Sequence, residues 1–239
     1  VKTKMTIALI LAGGNDPYFQ SHVPKQFCLV DDLPLFVYTL TTFQEHNEID
    51  EIYFICLDGW QAMVESYCQQ FNISKMKKII SAGASGQDSA YRGVCTIGEE
   101  CHEESIVVIH DAIRPLVDSE LISDSIKTCR EFGMGIAAIG SMDAFMRTHD
   151  RKTGYEAIGR YKLLRIQTPQ SYHLGNLLDY FSQANEQGVR EHMDVCTMVS
   201  ALGHEINFSK GSEYNLKINR FEDIDLFKTL KDKRMLEKE

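Results

Sequence analysis

The sequence predicts an α/β fold built on a mainly parallel sheet with helices on both faces, and three observations predict it. Short apolar runs without polar alternation recur along the chain, as strands buried on both faces require. Segments with helical apolar spacing lie between them. The two patterns alternate strand, helix, strand, the order that closes into a parallel sheet through crossover connections.

The first run, Met5-Thr6-Ile7-Ala8-Leu9-Ile10-Leu11-Ala12, ends in Gly13-Gly14 and reads as an inner strand leading into a loop. Beyond Pro24-Lys25-Gln26, Leu35 to Phe43 has helical spacing and Ile49 to Leu57 reads as a second strand. Met63 to Phe71 follows as helix, Lys78 to Ser81 as a short strand, Ser89 to Cys101 as helix and Ser105 to His110 as another buried strand. Glu120 to Phe132 reads as helix and Gly135 to Ile139 as strand. From Ser141 to Arg165 the periodicity fades and charge accumulates, as in a protruding arm, with Asp150-Arg151-Lys152-Thr153-Gly154 as its hairpin turn. Helical patterns return at Leu174 to Asn185 and Asp194 to Leu202, followed by a strand at Glu205 to Phe208 and a terminal helix from Glu222 to about Lys233. The chain of 239 residues shows no internal repeat or linker, so 1–239 is read as a single domain with 141–165 as a dimerisation arm.

Composition narrows the function. A formal charge of −9 argues against a nucleic-acid groove, which needs many phosphate-neutralising Lys and Arg. No apolar run approaches the ~20 residues of a spanning helix, so no membrane segment is expected. Seven cysteines are scattered without metal spacing and read as reduced core residues of a cytoplasmic protein. His102, His149, His192 and His204 likewise share no ligand spacing.

In a parallel sheet, ligands bind outside the carboxyl ends of the strands, which directs attention to the loops after Leu11, Leu57, Ile80 and Ile109. Ala12-Gly13-Gly14 is a turn where backbone N–H groups can approach a phosphate. Lys25 follows on the same loop. At the end of the run Ile106 to His110, Asp111 and Arg114 emerge together; the aspartate suits Mg²⁺, which takes oxygen ligands and bridges substrate phosphates, while an Asp111–Arg114 ion pair would tie the turn. The lone Trp60, after Asp58-Gly59, reads as a packing residue.

Leu11-Ala-Gly-Gly14, Pro24-Lys-Gln-Phe27, Asp88-Ser89, His110-Asp-Ala-Ile-Arg-Pro115, Gln167-Thr-Pro-Gln170, Asp194 and Asn215-Leu-Lys-Ile218 occur in this order over nearly the whole chain. In this order they resemble the cytidylyltransferases that make CDP-methylerythritol or CDP-ribitol. The resemblance implies a Rossmann-like nucleotidyltransferase fold with a protruding β-arm, transfer of CMP from CTP to a small polyol phosphate, a Mg²⁺ cofactor and a homodimer. Carried over by position, Lys25 and Lys217 neutralise the triphosphate, and Asp111 holds the metal with Arg114 ordering its loop. Ala12, Gly13, Gly14, Gly83 and Ser89 fall where the nucleoside is held. Arg160 reaches the polyol phosphate from a partner's arm, Thr168 shapes the acceptor pocket in a Thr-Pro-Gln turn, and Asp194 supports that pocket from behind.

The chain also departs from the family. Where relatives read Gly-x-Gly-x-Arg, this sequence continues Gly14-Asn15-Asp16-Pro17-Tyr18-Phe19, with Pro17 removing a backbone donor and Asp16 adding negative charge. Gly86 and Ala144 stand where a basic residue and an arm threonine are usual. Losing one transition-state donor costs about 10²–10³ in rate, which predicts a slow enzyme unless another group, such as His22, Arg147 or Arg165, substitutes. Leu-Ala-Gly-Gly and Gln-Thr-Pro-Gln-Ser lean toward a ribitol 5-phosphate-like acceptor. Methylerythritol 4-phosphate, another nucleotide, or a catalytically impaired binding protein are the alternatives.

Overall fold

An inner strand with no polar face needs cover on both sides, and the computed structural model shows how the chain supplies it. The structure describes residues 2–15, 19, 22–189 and 194–236. Strand β1 (Thr6–Ala12) leads through a 3-10 turn at Lys25–Phe27 to a small hairpin, β2 (Leu29–Val30) and β3 (Leu33–Pro34). There follow α1 (Leu35–Glu45), β4 (Glu51–Cys56), α2 (Gln61–Gln70), β5 (Met76–Ser81), α3 (Gly86–Glu100), β6 (Ile106–Asp111), α4 (Ser119–Phe132) and β7 (Met134–Gly140). The arm is a two-stranded ribbon, β8 (Phe145–Arg147) with β9 (Glu156–Ile158), and the chain then returns through β10 (Leu164–His173), α5 (Leu174–Gln187), α6 (Val195–Ala201), β11 (Phe208–Lys210) and α7 (Glu222–Leu236).

The central sheet has seven strands in the order β11-β7-β10-β6-β1-β4-β5. β1 pairs in parallel with β4 and β6, β4 with β5, and β7 with β11, whereas β10 runs antiparallel to both its neighbours. Alternation along β1 divides the core. Ala8, Ile10 and Ala12 pack with Phe36, Val37, Leu40 and Phe43 of α1 and with Leu121, Ile122 and Ile126 of α4. Ile7 and Leu9 pack on the other face with Ala90, Val94 and Ile97 of α3 and Leu177 and Phe181 of α5. A third cluster closes α7 over the β6 loop through Ile113, Leu116, Ile218, Ile224 and Phe227.

Two expectations need correction. The Gln167-Thr-Pro-Gln170 segment is no isolated turn: it lies inside the ten-residue β10, between β6 and β7, with a register shift between Ile166 and Gln170. Its buried stretch, Gln167 to Tyr172, carries Gln167, Thr168, Gln170 and Ser171 on its two faces, so hydrophobic period could not reveal it. The strand placed at Glu205 to Phe208 begins instead at Phe208, where Phe208, Ser209 and Lys210 pair with Ile136, Ala137 and Ala138. Trp60 stacks flat on Phe27, ring centres 4.4 Å apart, as a packing residue does. All seven cysteines are free, and burial pushes the thiols of Cys56, Cys129 and Cys196 up to about 12.

Candidate active site

The carboxyl ends of β1, β4, β5 and β6, with the entering half of β10, enclose a cavity of about 540 Å³. Ala12, Gly13, Gly14, Lys25, Gly83, Ser89, Asp111, Arg114, Thr168, Asp194 and Lys217 all line it. These residues span more than two hundred positions in sequence, and the crossover order alone brings them to one edge.

On one side lies the β1 turn. A Cβ on Gly13 would stand 2.4 Å from that of Ala82, so only glycine permits the β1 and β5 loops to approach this closely. The β5 loop is held from α3: the Gly83 N–H donates to Ser89 Oγ at 2.9 Å, the Ala84 N–H donates to Asp88 Oδ2 at 2.9 Å, and Ser85 caps the helix. A side chain at Gly83 would collide with Asp88, its Cβ 2.2 Å from Oδ2. Ser89, only 5% exposed, therefore shapes the loop as well as lining the cavity.

On the other side is Asp111. Arg114 Nε and Lys217 Nζ each lie 3.0 Å from its Oδ2. Burial alone would raise the Asp111 carboxyl, but Lys217 and Arg114 overcome it and hold the group well below the usual carboxylate range. Both cations take the same oxygen; Oδ1 makes no hydrogen bond or ion pair to a described residue. Lys217 reaches this point because its segment is tied down: Ile218 N–H donates to Ile113 O at 2.9 Å and Arg114 Nη1 donates to Asn215 O at 2.9 Å.

Behind Asp111 runs a buried polar chain. The Asp111 N–H donates to Thr168 Oγ1 at 3.1 Å, and Thr168 Oγ1 lies 3.0 Å from His110 Nδ1. His110 Nε2 faces the Arg114 carbonyl at 3.3 Å, which can only accept, so Nε2 carries the proton and Nδ1 accepts from Thr168. Burial pushes His110 down to about 3, which keeps this tautomer neutral. Asn215 Nδ2 donates to Thr168 O at 2.7 Å, and Gln167 exchanges bonds with the Ser212 backbone. Sequence reading named Thr168 as an acceptor-pocket residue; here it also fixes the Asp111 backbone. His110, Gln167 and Asn215 carried no role in the sequence, their only signal being that each opens one of the motifs.

Most of the remaining candidate residues are held by other bonds. Arg160 lies on the arm, donates to Met142 O at 3.4 Å, and does not line this cavity. Asp194 lines it, but its Oδ1 accepts from Thr197 N–H at 2.8 Å in a capping box at the start of α6. His22, Arg147 and Arg165 do not line it either; Arg147 pairs with Glu156 at 3.0 Å and Arg165 with Glu213. Within the departing loop, Asp16, Pro17 and Tyr18 lie outside the described residues, as does His192. Among the described residues no cluster of three His, Cys, Asp or Glu side chains forms a metal site, and no helix is long and apolar enough to cross a membrane.

Comparison with known proteins agrees with this geometry. The family model for IspD, 2-C-methyl-D-erythritol 4-phosphate cytidylyltransferase, matches residues 6–230. The chain is 36% identical over 234 residues to a ribitol-5-phosphate cytidylyltransferase of Lacticaseibacillus paracasei, covering 97% of this chain and 100% of the relative. It is 28% identical to a 2-C-methyl-D-erythritol 4-phosphate cytidylyltransferase of Clostridium botulinum, covering 94% and 96% of the two chains. The solved structure of the Francisella tularensis 2-C-methyl-D-erythritol 4-phosphate cytidylyltransferase superposes with a TM-score of 0.79 at 20% identity, covering 94% of this chain and 99% of that one, a likeness of fold.

Proposed function

Because this chain belongs to the IspD family of cytidylyltransferases, we propose that it transfers CMP from CTP to a small polyol phosphate, with ribitol 5-phosphate as the acceptor. The observation that carries the reading is the convergence of Lys25, Lys217, Asp111 and the glycine turn on one cavity at the carboxyl edge of the sheet. A phosphate oxygen of the acceptor attacks the α-phosphorus of CTP, the bond to the β-phosphate breaks, and pyrophosphate leaves. Nothing in this exchange requires a protein nucleophile, and the described cavity offers none poised for it; what it offers is positive charge and backbone donors, the means by which phosphoryl transfer is accelerated.

The site also fits Mg²⁺. That ion keeps several waters and takes one or two protein carboxylates plus substrate phosphates, and Asp111 supplies one ionised carboxylate with Oδ1 uncommitted. When bound there, Mg²⁺ would offset charge on the nucleotide phosphates. Lys217 and Arg114 hold the Asp111 carboxylate in its ionised form, Lys25 faces the triphosphate, and Ser89 with Gly83 shapes the nucleoside end.

Ribitol 5-phosphate is preferred over methylerythritol 4-phosphate because the 36% identical relative carries the ribitol name and the 28% identical one the methylerythritol name. We also assign a homodimer to the arm. Met142, Tyr155 and Tyr161 are 79%, 57% and 90% exposed on the arm, and Arg160 contacts Met142 and Tyr161, a surface a second copy could cover. Light scattering at twice the monomer mass tests it; a Tyr161→Arg variant is expected to shift the protein toward monomer.

The functional test is pyrophosphate release from CTP and Mg²⁺ with ribitol 5-phosphate, methylerythritol 4-phosphate and glycerol phosphate side by side. Release with ribitol 5-phosphate is expected. Release with methylerythritol 4-phosphate alone would reassign the acceptor, and CTP binding without release from any would replace the transferase by a nucleotide-binding protein.

A further inference from the structure

Gln26 is 2% exposed and lies beside Lys25. Its side-chain nitrogen donates to Ala12 O at 2.7 Å and to Gly14 O at 2.9 Å, so both amide hydrogens are committed to the glycine turn. Two carbonyl acceptors require the NH₂ end of the amide here, which settles its orientation. Phe27, the next residue, is stacked on Trp60 and buried, so the clamp is anchored from behind.

The consequence follows from the planarity of the peptide unit. In a trans peptide the C=O and the next N–H point in opposite directions. Holding the Ala12 and Gly14 carbonyls on Gln26 turns the N–H groups of Gly13 and Asn15 away from it. No described residue accepts a hydrogen bond from either of these N–H groups, and both residues line the cavity. Released from Gln26, the same peptides could rotate and present carbonyl oxygens to the phosphates, reversing the local dipole.

We propose that Gln26 is a positioning residue for the nucleotide: by clamping two carbonyls it aims the Gly13 and Asn15 N–H groups at the CTP phosphates. This rests on the cytidylyltransferase reading above. It also offers one answer to the missing loop arginine, since oriented backbone donors remain where that side chain is absent.

The test is Gln26→Met, which keeps the volume and removes both donors, beside Gln26→Glu, which sets a carboxylate against two carbonyls. KM for CTP and its calorimetric affinity are expected to worsen by about tenfold or more in Gln26→Met, and further in Gln26→Glu. This is below the roughly 10²–10³ of losing a transition-state donor outright. KM for the polyol phosphate and the Trp60 emission should stay near wild type, with the melting temperature lowered by the few degrees that two carbonyls left without their donor cost. Gln26→Asn, which retains the amide but shortens its reach, carries the test if the other two do not fold. Unchanged CTP affinity overturns the proposal, and so does a loss shared equally by both substrates with a lowered melting temperature, since that is a structural role. A wild type that binds CTP without transferring it defeats the functional reading alone, because the affinity comparison still decides Gln26. A wild type that binds no CTP defeats both.

Discussion

On the β6 side of the cavity, function rests on side-chain charge: Asp111 is held by Arg114 and Lys217, and behind it His110, Thr168, Gln167 and Asn215 form a buried chain drawn from β6, β10 and the segment before α7. On the β1 side it rests on backbone: a glycine turn too close to Ala82 for any side chain, shaped by Gln26. The first wall is redundant in its fastenings and severe in its dependence on one carboxylate. The second has few fastenings and spreads its work over several weak donors. Apart from the one lysine on each wall, mutations should therefore act steeply on the first wall and gradually on the second.

The largest effect is expected at Asp111→Ala. It removes the carboxylate proposed to hold Mg²⁺, and Mg²⁺-dependent CTP binding should disappear with a fall in turnover of about 10³ or more. Calorimetry with Mg²⁺ and with chelator measures it; the same metal dependence in the variant would break the assignment of that wall. The two lysines come next. Lys217→Met and Lys25→Met should each cost about 10²-fold in kcat/KM, one from each wall. Because Lys217 also holds Asp111 ionised, its loss should impair metal dependence too, whereas loss of Lys25 should leave that dependence intact. Equal behaviour of the two variants would remove the distinction between the walls.

A smaller effect separates architecture from chemistry. Asn215 is fully buried, and Asn215→Leu deletes the bond to Thr168 O that ties the Lys217 segment to β10. A buried acceptor left without its donor costs about 1–3 kcal/mol, so a lower urea midpoint is expected with an unchanged slope. KM for CTP should rise less than in Lys217→Met. If instead Asn215→Leu abolishes activity at full stability, this residue belongs to the reacting site and the chain behind Asp111 is more than support.

These two walls were not equally legible in the sequence. The parallel frame was, because β1, β4 and β6 are runs of Ile, Val, Leu and Phe whose burial on both faces leaves no alternation. Lys25, Asp111 and Lys217 were legible as charged residues inside recognisable motifs, and the fold brings them to one cavity. β10 was not, since four of its buried positions are Gln167, Thr168, Gln170 and Ser171, polar groups satisfied by β6, α4, the Ser212 to Asn215 segment and one another. Such a strand has a weak hydrophobic signature, because much of its stability comes from hydrogen bonds, several with their other halves far along the chain. Gln26 was hidden for the same reason. A glutamine after a lysine carries no mark of being buried, and only the geometry of the Ala12 and Gly14 carbonyls assigns it a task.

The smallest effect lies away from both walls, where α1 ends against α4. His46 is 4% exposed, its Nε2 lies 3.2 Å from Ser119 O and 3.1 Å from Ser123 Oγ, and burial lowers its pKa from the ordinary 6.5. A histidine with a lowered folded pKa contributes stability that is fully present above the unfolded value and is lost as pH falls below it, because the unfolded chain then binds the extra proton. The melting temperature should therefore fall between pH 7 and pH 5.5. His110, pushed down to about 3 by its own burial, adds a decline of the same sign. His46→Gln keeps a polar partner for Ser123 and removes the titration, so its melting temperature should fall by a few degrees less over that range while KM for CTP stays at the wild-type value. An identical acid slope in the variant would show that His46 takes its proton without loss, and would leave His110, behind the charged wall, as the source of the whole effect.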